Sequence, residues 1–108
     1  MSLLALLLVP FIQSTPADKQ IARCGAVMLA YYESRPEDRW DGERAQALAA
    51  ASYYVGKLEA ALAGVNKGPL LHMAVRDLFE SEYNKLKPQD VQAEGKKCLD
   101  GYVSAMPL

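Results

Sequence analysis

The chain has 108 residues, 51% of them hydrophobic and 23% charged, and a net charge of −1. That length holds one domain, and the near-neutral balance excludes the basic surface that nucleic acids and anionic membranes select. Two cysteines and one histidine in no recognised spacing are too few for a metal-ligand set, so neither metal nor cofactor is expected.

Residues 1–17, MSLLALLLVPFIQSTPA, read as a cleaved secretory signal peptide. The apolar run from Leu3 to Ile12 is too short to span a bilayer, and Thr15 and Ala17 stand at the positions a signal peptidase reads. No Lys or Arg precedes the run, which leaves the free amino terminus as its positive charge. The alternative, an ordinary first helix of the fold, fits poorly with Pro10, Pro16 and the absence of charge. Cleavage after Ala17 leaves a single helical domain over 18–108 that keeps every charged residue. No later segment is long and apolar enough to be a membrane anchor, and no cysteine follows the small residues to take a lipid. The expected product is soluble and periplasmic or secreted.

From there the pattern is helical, with Pro and Gly at the joints. A first helix is expected from Asp18, as N-cap, to Ser34, with Ile21, Cys24, Met28 and Tyr31 on one face. Pro36 ends it. After the joint SRPEDRWDG a second helix, capped by Asp41, carries a stripe of Leu48, Ala51, Val55, Leu58 and Leu62. Beside it runs a row without a large side chain, Ala45, Ala49, Ser52, Gly56, Ala60 and Ala63, which would let a neighbouring helix approach closely. GVNKGP is a turn, and Pro69 opens a third helix with Leu71, Val75, Leu78, Phe79 and Leu86 inward. Pro88 opens a fourth, lined by Val91, Gly95, Cys98, Tyr102 and Ala105, which Pro107 stops. Four amphipathic helices with short joints predict an all-α, antiparallel four-helix bundle.

In such a bundle the first and last helices are antiparallel neighbours. Cys24 lies roughly 9 Å into its helix and Cys98 roughly 12 Å from the end of its own, so the thiols share a level along the axis. Both fall on apolar stripes, where facing side chains come within disulfide reach. With an export signal and an even count, Cys24 and Cys98 are expected to form one structural bridge joining the first and last helices. A reactive thiol is the competing reading, since Lys96 and Lys97 would lower the pKa of Cys98, but C-x-x-C and a second histidine are both missing.

No catalytic signature is present, and the chain is read as a binding protein and not an enzyme. His72 shares a helical row with Arg76 and Glu80, the setting of a solvated or partly packed histidine more than of a general base. Glu80, Glu82, Asp90 and Glu94 are spaced as a solvated face. The joint ESRPEDRWDGER holds the sole tryptophan, Trp40, among Arg35, Arg39 and Asp41, and aromatic plus arginine is the composition of interface anchors. Trp40, Arg39, Arg35 and Asp41 are therefore the candidate partner contacts; the bland alternative is a Trp covering the bundle's end. In each adjacent pair, Tyr31–Tyr32 and Tyr53–Tyr54, the two side chains point about 100° apart, so at most one is fully inside. Met28, Met73 and Met106 are the only hints of an interior pocket for a lipid or cofactor. A small-ligand carrier of the periplasm, or a structural protein, is the alternative function.

The segments IARCGAVMLAYY, ALAAASYYVGKLEA and KKCLDGYVS together resemble the Tai group of small periplasmic immunity proteins against type VI secretion amidase effectors. The resemblance implies an exported, all-helical, disulfide-containing protein, often a homodimer, whose protein partner is a cell-wall amidase. Cys24, Cys98, Leu99, Asp100 and Tyr102 carry over as fold positions. No segment that plugs the amidase is matched.

Overall fold

The computed structural model describes residues 14–34 and 42–106, and of the expected signal peptide, 1–17, all but the last four residues lie outside them. Four helices follow in order: α1 (Pro16–Ser34), α2 (Gly42–Leu62), α3 (Pro69–Lys85) and α4 (Pro88–Ala105). No strand occurs among the described residues. The Cys24–Cys98 disulfide ties α1 to α4 with a Cα–Cα distance of 5.3 Å.

The first turn of α1 departs from the sequence expectation. Thr15, not Asp18, is the N-cap: its Oγ1 accepts the Asp18 N–H at 3.1 Å, while its own N–H donates to Asp18 Oδ2 at 2.8 Å. Reciprocal bonds of this kind satisfy two otherwise orphaned donors, and Pro16, which has no N–H to lose, fits the first helical position between them. The same logic starts α4, where the Lys87 N–H donates to Asp90 Oδ2 at 3.0 Å ahead of Pro88. Between α2 and α3 the turn needs Gly68, whose φ of 57° lies in the region L side chains avoid. Buried Asn66 closes the end of α2, donating both its backbone N–H (2.9 Å) and its Nδ2 (3.2 Å) to the Leu62 carbonyl.

The sense of each helix follows from which residues meet. Gly25 of α1 lies under Tyr54, and Ala22 packs with Leu58 and Leu62, so α1 and α2 run antiparallel. Ala30 and Ser34 lie beside Val91 while Cys24 joins Cys98, so α1 and α4 are antiparallel too. The α1–α2 pair packs most extensively, and α3 and α4, though consecutive in sequence, barely touch each other. Because α1 contacts all three other helices, the unbroken run Cys24–Met28 is buried, not merely one stripe of it. Val27, Met28, Leu58 and Leu62 are fully enclosed, each contributing roughly 1.5–3 kcal/mol relative to exposure.

On α2 the inward face is Ala47, Ala50, Ala51, Tyr54, Leu58 and Leu62. Leu48, expected in the core, is 43% exposed, and Val55 is half-buried. The row of small residues expected to receive a neighbour instead faces outward: Ala49, Ser52, Gly56, Ala60 and Ala63 are exposed and Ala45 half-exposed. Burying the Tyr54 ring with Leu58 and Leu62 removes more apolar area than burying alanines and glycine, and that sets the rotation of the helix. Tyr54 is accordingly inside and Tyr53 half-out, one of the adjacent pair as expected. Leu86 falls just past the end of α3, and Ala105, expected to line α4, is exposed.

Candidate functional site

The bridge sits among tightly placed groups. On its α2 side the Tyr54 hydroxyl donates to the Cys98 carbonyl at 2.6 Å, and burial raises the phenol's pKa, with Tyr53 adding to the effect. One turn further along α4, a Cβ on Gly101 would stand 2.7 Å from the Tyr54 oxygen, so a hydrogen is all that fits there. Gly95 admits the Tyr31 ring in the same way, with a would-be Cβ 3.1 Å from its edge. Glycine thus lets aromatic rings from α1 and α2 close onto α4 on either side of Cys98.

Next to Cys24, Arg23 reaches across to α4 and forms a bidentate pair with Glu94, Nε to Oε1 at 3.0 Å and Nη2 to Oε2 at 2.7 Å. Asp90 Oδ2 stands 3.6 Å and Glu82 Oε1 4.0 Å from the same guanidinium. The hydrogen bond that Arg23 donates to Glu94, opposed by burial and helped by the charges of Glu94, Asp90 and Glu82, raises the Arg23 pKa. Its bond to Arg23 holds the Glu94 carboxyl below the ordinary glutamate value. Arg23 therefore draws α1, α3 and α4 together through three carboxylates. Sequence spacing had placed Glu82, Asp90 and Glu94 on a solvated face; they are half-buried because each lies near the line where α3 or α4 meets α1. Only Glu80 of the four is exposed. A lone arginine inside an apolar helical stretch was the signal available for this clasp.

The joint with the candidate partner contacts Arg35, Arg39, Trp40 and Asp41 lies outside the described residues. The helix ends that carry it are anchored. At the end of α1, Glu33 accepts the Tyr83 hydroxyl of α3 at 2.6 Å, a bond that raises the tyrosine pKa, and the Ser34 hydroxyl donates to the Tyr31 carbonyl at 2.8 Å. At the start of α2, the Arg44 guanidinium lies 4.0 Å over the Tyr32 ring.

Among the clefts on the described surface, two are mainly apolar. One of about 310 Å³ lies where the ends of α1 and α3 meet the start of α4, between Ala30, Ser34, Tyr83, Pro88 and Val91. The other, about 430 Å³, is an apolar groove bounded by Leu29 of α1, Leu48, Val55 and Gly56 of α2, and Phe79 of α3. Met28 is core, whereas Met73 and Met106 are exposed, so the three methionines line no common pocket. His72, Arg76 and Glu80 stand exposed along α3 as a solvated row. Among the described residues no group of His, Cys, Asp or Glu is arranged to hold a metal ion, and no helix is long and apolar enough to cross a membrane. No protein-family model, curated protein or solved structure matches this chain.

Proposed function

We propose that this chain is an exported binding protein that recognises a protein partner through the joint bearing Arg35, Arg39, Trp40 and Asp41. The Cys24–Cys98 bridge carries the reading, because disulfides persist in oxidising compartments and a cross-link between the first and last helices fixes the body that presents the joint. Its charged and phenolic groups support it further. Arg23, Glu94, Tyr54 and Tyr83, whose pKa values are displaced, all bond from one helix to another. Perturbed groups in that setting hold architecture together, in contrast to the convergent acid–base pairs of a catalytic cleft. Anchoring on both sides of the joint, Tyr83–Glu33 before it and Arg44–Tyr32 after it, lowers the ordering cost of binding there.

The resemblance to the Tai group gives that partner a chemistry, a cell-wall amidase whose active site the joint obstructs. The test titrates the purified, oxidised protein into a type VI effector amidase acting on peptidoglycan, alongside a Trp40→Ala variant. Stoichiometric inhibition that Trp40→Ala weakens about a hundredfold supports the reading, that loss being typical of an aromatic hot spot. Undiminished amidase activity at saturating protein removes the amidase as partner, and recovery of the native protein from the cytosol with both thiols free removes export as well.

A further inference from the structure

A third cleft, of about 350 Å³, opens between α1 and α4 and flanks Cys98, and its lining is mostly polar where the other two are apolar. Tyr31 of α1 forms one wall, and Gln92, Gly95, Lys96, Leu99 and Asp100 of α4 form the rest. The Tyr31 ring stands so close to buried Gly95 that a Cβ there would lie 3.1 Å from it. Tyr31 and Leu99 both pack on the core around Cys24 and Cys98, so the apolar side of the cleft is fixed before anything enters it. Gln92, Lys96 and Asp100 follow at four-residue spacing, which sets them in one row along the polar side.

Lys96 and Asp100 carry opposite charges about one turn apart on that row, yet among the described residues neither takes part in an ion pair. Lysine ahead of the acid is the weaker order for such a pair on a helix. Their backbones lie roughly 6 Å apart along α4, close enough for one small molecule to reach both side chains. We propose that this cleft binds a free α-amino acid with an apolar side chain. Its carboxylate meets Lys96, its ammonium meets Asp100, and its side chain lies against the Tyr31 ring and Leu99. A volume of about 350 Å³ stands at the small end of ligand sites and suits a single amino acid better than a peptide. A ligand with one charge leaves either Lys96 or Asp100 without a partner, which is how the cleft selects a zwitterion. The cleft uses none of the joint residues 35–41, and the proposal stands independently of the partner read there.

The test follows the backbone amide shifts of the oxidised full chain by NMR during titration with L-phenylalanine and, separately, L-leucine. Saturable shifts are expected, centred on residues 92–100 and on Tyr31. Phenylalaninamide lacks the carboxylate and N-acetylphenylalanine lacks the ammonium. Each is expected to bind about fivefold more weakly than phenylalanine, an effect between those of an exposed and a shielded charge pair. Two variants then assign the ends of the ligand. Lys96→Met is expected to bind phenylalanine and its amide alike while still discriminating against N-acetylphenylalanine, and Asp100→Asn to do the reverse. Both positions are exposed, so the unfolding transition of each variant is expected to match that of the wild type. If neither amino acid gives saturable shifts at residues 92–100, the proposal is overturned. Equal affinities for phenylalanine, its amide and its N-acetyl form overturn it as well, as does a discrimination that survives both substitutions.

Discussion

Removing one side of the Arg23 clasp tests the packing of α1 against α3 and α4. Glu94 makes two charge-assisted bonds to Arg23, at 3.0 and 2.7 Å, with 33% of the Glu94 side chain and 18% of the Arg23 side chain accessible. A buried bond to a charged group contributes about 1.5–3 kcal/mol and an exposed pair less than about 1 kcal/mol, so this half-screened pair falls between. Glu94→Gln keeps one acceptor, and Asp90 and Glu82 remain beside the guanidinium, so the loss is about 1 kcal/mol at neutral pH. The pH dependence has a definite sign. Bonding to Arg23 lowers the Glu94 pKa from 4.5, so its contribution is complete above that value and is lost as pH falls through the lower, folded value. Urea denaturation of the two proteins across acidic to neutral pH should therefore give a gap that closes below 4.5. Arg23→Met gives a larger gap that also narrows in acid. It leaves Glu82, Asp90 and Glu94 facing one another, costs about 2 kcal/mol at neutral pH, and part of that loss returns as the carboxylates protonate. A Glu94→Gln gap that stays constant or widens in acid would refute the assignment of Glu94 as the paired carboxylate.

Other substitutions probe the remaining joints of the structure. Tyr54→Phe removes the hydrogen bond to the Cys98 carbonyl and should cost about 1 kcal/mol in thermal or urea unfolding. The wild type should lose more stability than this variant as pH rises above 10.0, since a neutral phenol is the form the fold holds at Tyr54, while the raised Tyr83 titrates in both proteins. Gly101→Ala drives a methyl to 2.7 Å from the Tyr54 oxygen and should cost about 2 kcal/mol, much of it recovered in the Gly101→Ala, Tyr54→Phe double variant because the two sites share one contact. Thr15→Ala breaks the capping box and should cost about 1 kcal/mol, with faster amide exchange in the first turn of α1. A chain that begins at Asp18, the product of cleavage after Ala17, lacks the same cap and should exchange as fast as Thr15→Ala there.

The four helices, the joints at Pro69 and Pro88, and the pairing of Cys24 with Cys98 were legible because Pro placement and apolar spacing act locally. The height of each cysteine in its helix then sufficed to match them across the bundle. The start of α1 was misread because Thr15 and Asp18 are both good capping residues, and the reciprocal pair that decides between them involves a residue assigned to the signal segment. Rotation of α2 was beyond periodicity alone. The stripe ending in Leu62 and the face holding Ala47, Ala50 and Tyr54 differ by a fraction of a turn, and what selects between them is the ring of Tyr54 reaching α4. The Arg23 clasp was hidden for a similar reason. Its carboxylates come from two helices distant in sequence, and their spacing on each helix is that of any solvated face.

The account rests most heavily on the covalent tie between the first and last helices. It closes a loop between positions 74 apart, worth about 4.5 kcal/mol on the loop-entropy model. The direct measurement is tryptic mass mapping of the native protein, isolated with free thiols blocked and without reduction. Cleavage after Arg23, Arg39 and Lys97 places the cysteines in the peptides 24–39 and 98–108. The account predicts these two as one linked species that separates on reduction. Recovery of both as individually blocked, free-thiol peptides would contradict it.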